Sequence, residues 1–270
     1  MNQVVEYQVV QGVATLAVSH PPVNALSHAV RCGLAAGLHQ AMTDPDVVAI
    51  LLYCKGSTFF VGADITEFGK PRQPPLLRDL IQQLDASNKP LVAAMHGKAL
   101  GGGLEVAMAC HYRILHRGAQ IGLPEVKLGL IPGAGGTQML PRLIGFPAAL
   151  EMILSGAAVK APKALESGLV DQLFEGDPLQ AGLNFLEKLP AAPNGPPRTS
   201  ERSTKLPENL YSLKAAFAAI EATLSLPFEE GLMMEQQAFD QCSQSPEHSV
   251  LLQRFMNRKT VPPKACEPIK

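Results

Sequence analysis

A mixed α/β body followed by a helical C-terminal region is the fold that the sequence predicts, and three observations carry it. The continuous apolar runs VVAILLY (47–53) and PLVAAMHG (90–97) have strand length and read as strands covered on both faces. Stretches with helical spacing alternate with such runs over about the first 190 residues, which predicts a mostly parallel sheet covered by helices. Composition then shifts at PAAPNGPPRTSERSTK (190–205), a proline-, glycine- and serine-containing linker pattern, and only helical patterns follow it.

Taken in order, VVEYQVV and VATLAVS alternate about a turn at Gly12, as paired strands do. HPPVNALS (20–27) is a rigid loop, its prolines fixing φ. HAVRCGLAAGLHQAMTD repeats Val30, Leu34, Leu38 and Met42 on one helical face. After VVAILLY come a loop, KGSTFFVGADI, a polar stretch to about residue 75 and a helix to about 86. PLVAAMHG reads as a strand that runs straight into the glycines of GKALGGGLEVAMAC (97–110). HYRIL and AQIGL are short strands, and PEVKLGLIPGAGGTQML is a loop entering a helix. FPAALEMILSG, PKALESG and PLQAGLNFLEKL are helical, with a short strand LVDQLF before the last. Beyond the linker, ENLYSLKAAFAAIEATL, PFEEGLMMEQQAFDQC and PEHSVLLQRFMNRK predict three helices, with Met233 and Met234 as core.

With 270 residues, 46% of them hydrophobic, the chain is long enough for one large core or two modest ones. A net charge of −1 without a long basic run argues against a nucleic-acid partner. No stretch approaches the apolar length of a membrane span, and the N-terminus lacks a signal-peptide pattern. Cys32, Cys54, Cys110, Cys242 and Cys266 are scattered and form no CxxC, as expected of reduced thiols. The expectation is a soluble intracellular protein.

Three glycines, Gly101 to Gly103, stand ahead of a helix, although glycine costs a helix about 1 kcal/mol relative to alanine. They serve either close packing of strand and helix or the presentation of free N–H groups at a helix N-terminus. Glu105 follows among apolar residues. It is either favoured by the helix dipole or held in a protein interior for chemistry. Glu125, in GLPEVKLG, has a similar setting, and two such glutamates suit proton transfer with raised or split pKa values. In FFVGADI (59–65), Gly62 marks either a simple turn or one that lends backbone N–H groups near Ala63 to an oxyanion hole. His111 and His116 fall on opposite faces of a strand, so no metal is expected. PGAGGTQ (132–138) fails the dinucleotide fingerprint, and no G-x-S-x-G elbow is present.

PPVNALS, FFVGADI, KPLVAAMHGKALGGGLEVAMACHYRI and IGLPEVKLGLIPGAGGTQMLPRLIG, in this order, resemble the enoyl-CoA hydratase/isomerase (crotonase) superfamily over residues 3 to 190. ACHYRI, FPAALEMILSG, LPFEEGLMMEQQAF and SPEHSVLLQRFMNRK are similar to the amino-terminal hydratase/isomerase part of fused β-oxidation enzymes and to the segment that follows it. The sequence ends at TVPPKACEPIK, so the resemblance implies either a fragment of such an enzyme or a stand-alone relative. Those fused relatives often carry an arginine where this chain has the Ala134-Gly135-Gly136 run.

The resemblance implies a crotonase spiral of repeated ββα units with a helical C-terminal region. It divides the chain into a core at 1–190, a linker at 191–207 and a helical region at 208–270. It implies hydration of trans-2-enoyl-CoA to 3-hydroxyacyl-CoA, together with Δ3,Δ2 isomerisation. The alternatives are a dedicated isomerase or other acyl-CoA enzyme, and a non-catalytic acyl-CoA-binding module. By position, Glu105 and Glu125 become the catalytic pair, Ala63 and Gly102 the oxyanion hole, and Gly133 a neighbour of the reacting water. Val23, Ala25, Leu26, Asp64 and Ile65 become coenzyme A contacts, with Arg254, Arg258 or Lys259 as candidate phosphate ligands. Coenzyme A enters as part of the substrate, and no metal or other cofactor is implied. The fused-type tail favours a monomer over a trimer. The expected compartment is the cytoplasm, or the peroxisome for a eukaryotic fragment.

Overall fold

The computed structural model describes residues 4–67, 69–189 and 210–260. The linker expected at 191–207 and Cys266 lie outside them.

Six strands build the larger sheet: β1 (Val5–Val10), β2 (Val13–Val18), β3 (Ala49–Cys54), β4 (Leu91–Met95), β6 (Tyr112–His116) and β9 (Gln172–Phe174), in spatial order β1-β2-β3-β4-β6-β9. Only β1 and β2 are antiparallel; every later pairing in this sheet is parallel. A smaller sheet orders β5 (Lys98–Leu100), β7 (Gln120–Gly122) and β8 (Val159–Lys160) as β5-β7-β8.

The continuous apolar runs sort themselves by strand period. In β3, Ile50, Leu52 and Cys54 join the main core, whereas Leu51 and Tyr53 join a second cluster on the opposite face. Leu91, Ala93 and Met95 against Val92 and Ala94 repeat this division in β4. The second cluster is closed by Phe185 and Leu183 of α7 (Pro178–Leu186). The main core is covered by helices that include α1 (His28–Thr43), whose Val30, Leu34 and Leu38 are buried. The Ser27 hydroxyl caps α1 by accepting from the Val30 N–H.

One strand reading needs correction. The segment 90–97 does not run straight into the glycines: β4 ends at Met95, Gly97 turns the chain with φ +60, and β5 crosses into the other sheet before them. A side chain at 97 would stand 2.1 Å from the Ser57 carbonyl oxygen, so this crossing needs glycine. The unit β4-β5 then enters α3 (Gly102–Met108). After α2 (Leu77–Asp85) and α3, β6-β7 leads through a 3-10 turn, Glu125–Leu128, to α4 (Gly136–Ile144). α5 (Phe146–Ser155) and α6 (Ala161–Glu166) complete the body.

The three C-terminal helices are α8 (Tyr211–Glu221), α9 (Phe228–Ser243) and α10 (Pro246–Thr260). Ala216, Phe217, Ala219, Ile220 and Cys242 belong to the same main core as the sheet, so α8 and α9 share the body's interior. Met233 is 66% exposed and not core, because it lies on the side of α9 away from the stripe Gly231, Glu235, Phe239. No helix among the described residues is long and apolar enough to cross a membrane.

Candidate active site

Close backbone packing brings the sequence motifs together. Gly101 precedes α3 with φ +55, donates its N–H to the Gly122 carbonyl at 2.8 Å and stands 3.8 Å from the Gly62 Cα when given a Cβ. A Cβ on Gly103 would be 2.3 Å from the Phe60 carbonyl oxygen, so α3 starts directly against FFVGADI. That segment is tied in turn to HPPVNALS: the Leu26 N–H donates to Gly62 at 2.9 Å, and Leu26 and Ala63 form a β-bridge. Ala63 is exposed and Gly102 buried, and among the described residues neither N–H has a hydrogen-bond partner.

Asn24 holds the HPPVNALS loop, although the sequence reading did not single it out. Its side chain accepts from the His20 N–H at 2.7 Å and donates to the Lys55 and Thr58 carbonyls at 2.9 and 2.8 Å. On that loop and the adjoining turn, Val23 is exposed, Leu26 is buried, and Ala25, Asp64 and Ile65 are half-buried. Arg254 is exposed on α10, and the side chains of Arg258 and Lys259 lie outside the described residues.

Glu105 sits in the first turn of α3 and is 2% exposed. Its Oε1 accepts from the N–H groups of Ala134 and Gly136, each at 2.9 Å. Burial lifts its pKa to about 7, against the pull of these two donors. Glu125 opens the 3-10 turn. The residue as a whole is half-buried, but Oε2 is shut from solvent without a partner among the described residues, and Oε1 faces the Gly101 Cα. Burial first and the Glu105 charge second raise its pKa well above the carboxylate range. The two glutamates, 20 residues apart in sequence, therefore act on each other electrostatically around the Gly101–Gly102 backbone.

A third glutamate escaped the sequence reading. Glu235 of α9 is 2% exposed and accepts from the Gly135 N–H at 2.6 Å, the Thr137 N–H at 2.8 Å and the Thr137 hydroxyl at 2.6 Å. Burial and then the Glu105 charge raise its pKa to about 8, opposed by those donors. Its signal was one carboxylate within the four-residue repeat Gly231, Glu235, Phe239 of a helix otherwise acidic on its exposed side. Gly133 is half-buried, and the Phe239 ring lies 2.3 Å from where its Cβ would be.

The two histidines serve elsewhere. His111 precedes β6 and accepts from the Leu91 N–H at 3.2 Å, while His116 packs edge-on against Phe174. Among the described residues no three His, Cys, Asp or Glu side chains are grouped to hold a metal ion.

A family model for enoyl-CoA hydratase/isomerase matches residues 8–195. The chain belongs to that family. Two relatives differ in how much of them it spans. It is 39% identical over 272 residues to the peroxisomal bifunctional enzyme of Danio rerio, covering 94% of this chain but 38% of that protein. It is 36% identical over 257 residues to the probable enoyl-CoA hydratase of Bacillus subtilis (strain 168), covering 92% of this chain and 94% of that one. An enoyl-CoA hydratase/isomerase structure from Pseudoalteromonas atlantica T6c superposes with a TM-score of 0.75 at 25% identity, over 97% of this chain and 100% of the other. The fold is thus the crotonase fold, with the helical C-terminal region attached.

Proposed function

We propose that the protein hydrates trans-2-enoyl-CoA thioesters reversibly to 3-hydroxyacyl-CoA, with Glu105 and Glu125 as the proton-transferring pair. The observation that carries the reading is their asymmetry. Two backbone donors favour the anion of Glu105, whereas the unpartnered Oε2 of Glu125 and the Glu105 charge favour its neutral form. Near neutral pH one is suited to take a proton and the other to give one.

The steps balance with water alone. The thioester oxygen sits between the Ala63 and Gly102 N–H groups, which stabilise the enolate as charge moves onto it. A water between the carboxyls loses a proton to Glu105 as its oxygen bonds to C3, and the Glu125 proton passes to C2. Proton exchange returns both glutamates to their starting states. The coenzyme A arm runs past the backbone of Val23, Ala25, Leu26, Asp64 and Ile65. Together with similarity to the glyoxysomal fatty acid beta-oxidation multifunctional protein of Cucumis sativus, 46% identical over 177 residues, similarity to the bifunctional relative supports a place in fatty-acid β-oxidation. It also supports reading 208–270 as that protein's segment beyond the hydratase/isomerase part. The free Glu125 Oε2 favours a second activity, Δ3,Δ2 isomerisation, since one carboxyl suffices to move a proton between C4 and C2.

Loss of enone absorbance from crotonyl-CoA tests the reading. Wild type turns over, and Glu105→Gln and Glu125→Gln each fall by about 10² to 10⁴-fold, the usual worth of a general acid or base. An inactive wild type on every enoyl chain length, or a fully active Glu105→Gln variant, sinks it.

A further inference from the structure

Helix α9 meets the site along one face. Gly231, Glu235 and Phe239 recur every four residues and form a single stripe. A Cβ on Gly231 would collide with Gln138 Oε1 at 2.0 Å, Glu235 takes the N–H groups of Gly135 and Thr137, and Phe239 covers Gly133. The stripe therefore lies along residues 133–138, where α4 begins.

The first N–H groups of a helix have no partner within it. Here they are divided in strict alternation: Ala134 and Gly136 donate to Glu105 from one side, Gly135 and Thr137 to Glu235 from the other. Gln138 locks the arrangement, its Nε2 donating to the Thr137 hydroxyl at 3.0 Å and to the Ala219 carbonyl at 2.8 Å. Glu105 thus owes its orientation to a turn whose other half is gripped from the C-terminal region.

We propose that Glu235 is a positioning residue of this active site, clamping the Gly135–Thr137 turn so that the Ala134 and Gly136 N–H groups hold the Glu105 carboxylate ready for proton transfer. The proposal rests on the hydratase reading for Glu105's role, but the clamp itself does not.

The charges around Glu235 fix what its removal does. Glu105 of α3 acts on it directly, and Glu125 of the 3-10 turn feels its charge. From α4, Arg142 is directed at the Gln138 carbonyl and side chain and the Leu226 carbonyl. On α8, Lys214 is exposed and Glu221 half-buried; on α10, Glu247 holds Tyr211 and Ser212. On α9 itself, Asp240 pairs with Arg72. Losing a like charge would lower the pKa of Glu105, whereas losing the two N–H donors raises it. The clamp requires the second result.

Two variants test it. Glu235→Gln replaces an acceptor of three donors by a group that also carries N–H, and Thr137→Val removes one donor while leaving both N–H groups. With crotonyl-CoA, Glu235→Gln lowers kcat by about 10²-fold with KM within about twofold, and the acid limb of the pH profile moves upward. Thr137→Val shows the same pattern more weakly. By NMR, the Ala134 and Gly136 amide protons move upfield in Glu235→Gln while the sheet amides keep their positions. An unchanged kcat, an acid limb that stays or moves down, or a loss matched by the unfolded fraction overturns the proposal. If wild type hydrates no enoyl-CoA, the hydratase reading fails and the two amide shifts decide the clamp alone.

Discussion

A Cβ on Gly101 would stand 2.6 Å from Oε1 of Glu125, in a residue whose φ is +55. The glycine run therefore has separable causes: Gly103 is needed for close packing on Phe60, and Gly101 makes room for a carboxylate and turns the chain. Gly101→Ala carries both a left-handed backbone and an intruding methyl group, and strain of this kind costs about 1–3 kcal/mol. Turnover of crotonyl-CoA is expected to fall at least about 100-fold, with thermal unfolding lowered by only a few degrees. A variant with wild-type turnover would show that Glu125 does not need this space.

Activity should depend on pH in a defined direction. Glu105 must be ionised to accept a proton, and with its pKa at about 7 the rate rises as pH climbs through neutrality. Glu125 must be protonated to donate, and its pKa lies well above the carboxylate range, so the rate falls again only at distinctly higher pH. The kcat/KM profile of the wild type is then a bell, whose limbs report the coupled pair rather than either residue alone. A rate that declines from pH 5 upward would reverse the assigned roles.

Much of this was legible because period and punctuation are local properties. The all-apolar runs of β3 and β4 declared strands buried on both faces, and Gly101–Gly103 and Gly62 marked the turns that meet. What could not be read depends on long-range closure. β5 is three residues long and carries little pattern of its own; its place follows from pairing with β7. Glu235 looks in sequence like another polar residue of a polar helix, with Glu229 and Glu230 close by. Only the docking of α9 on the start of α4, about 100 residues away, turns it inward.

The same buried carboxyls make stability pH-dependent. The pKa of Glu105 rises from 4.5 to about 7 and that of Glu235 from 4.5 to about 8, so between these limits the folded state binds more protons than the unfolded chain. Stability rises with pH only where the unfolded state binds more, so here it falls. The contribution is complete below about pH 4.5 and is lost as pH climbs through 7 to 8. At 1.36 kcal/mol per pKa unit, Glu105 is worth on the order of 3 kcal/mol and Glu235 on the order of 5 kcal/mol. Denaturant midpoints are expected to drop between pH 5.5 and 8.5, and Glu235→Gln to flatten that slope. An equal slope in the variant would place the titration elsewhere.

Arg113 and Asp171 support the sheet from within. The Arg113 side chain is 3% exposed and donates to the carbonyls of Leu169 and Cys110 at 3.0 and 2.7 Å, while Asp171 accepts from the Arg113 N–H at 2.7 Å. Removing one partner of a buried pair leaves the other charge uncompensated, at a cost of about 3–5 kcal/mol. Arg113→Met is expected to lower the urea midpoint strongly and to leave KM of the remaining folded enzyme unaltered. A loss below 1 kcal/mol would mean that water reaches Asp171.

Asn24 offers a test of substrate binding apart from catalysis. It links the HPPVNALS loop to Lys55 and Thr58, and its own φ is +50, a conformation that asparagine tolerates better than most residues. Asn24→Ala removes three hydrogen bonds and leaves the buried Thr58 carbonyl and the more exposed Lys55 carbonyl without this donor, which loosens Leu26 against Ala63. Because this loop is the one proposed to meet the coenzyme A arm while Glu105 and Glu125 lie on other segments, KM for crotonyl-CoA should rise about tenfold and kcat change less than threefold. A large fall in kcat with KM intact would instead tie the loop to the position of Ala63, and so to the oxyanion hole.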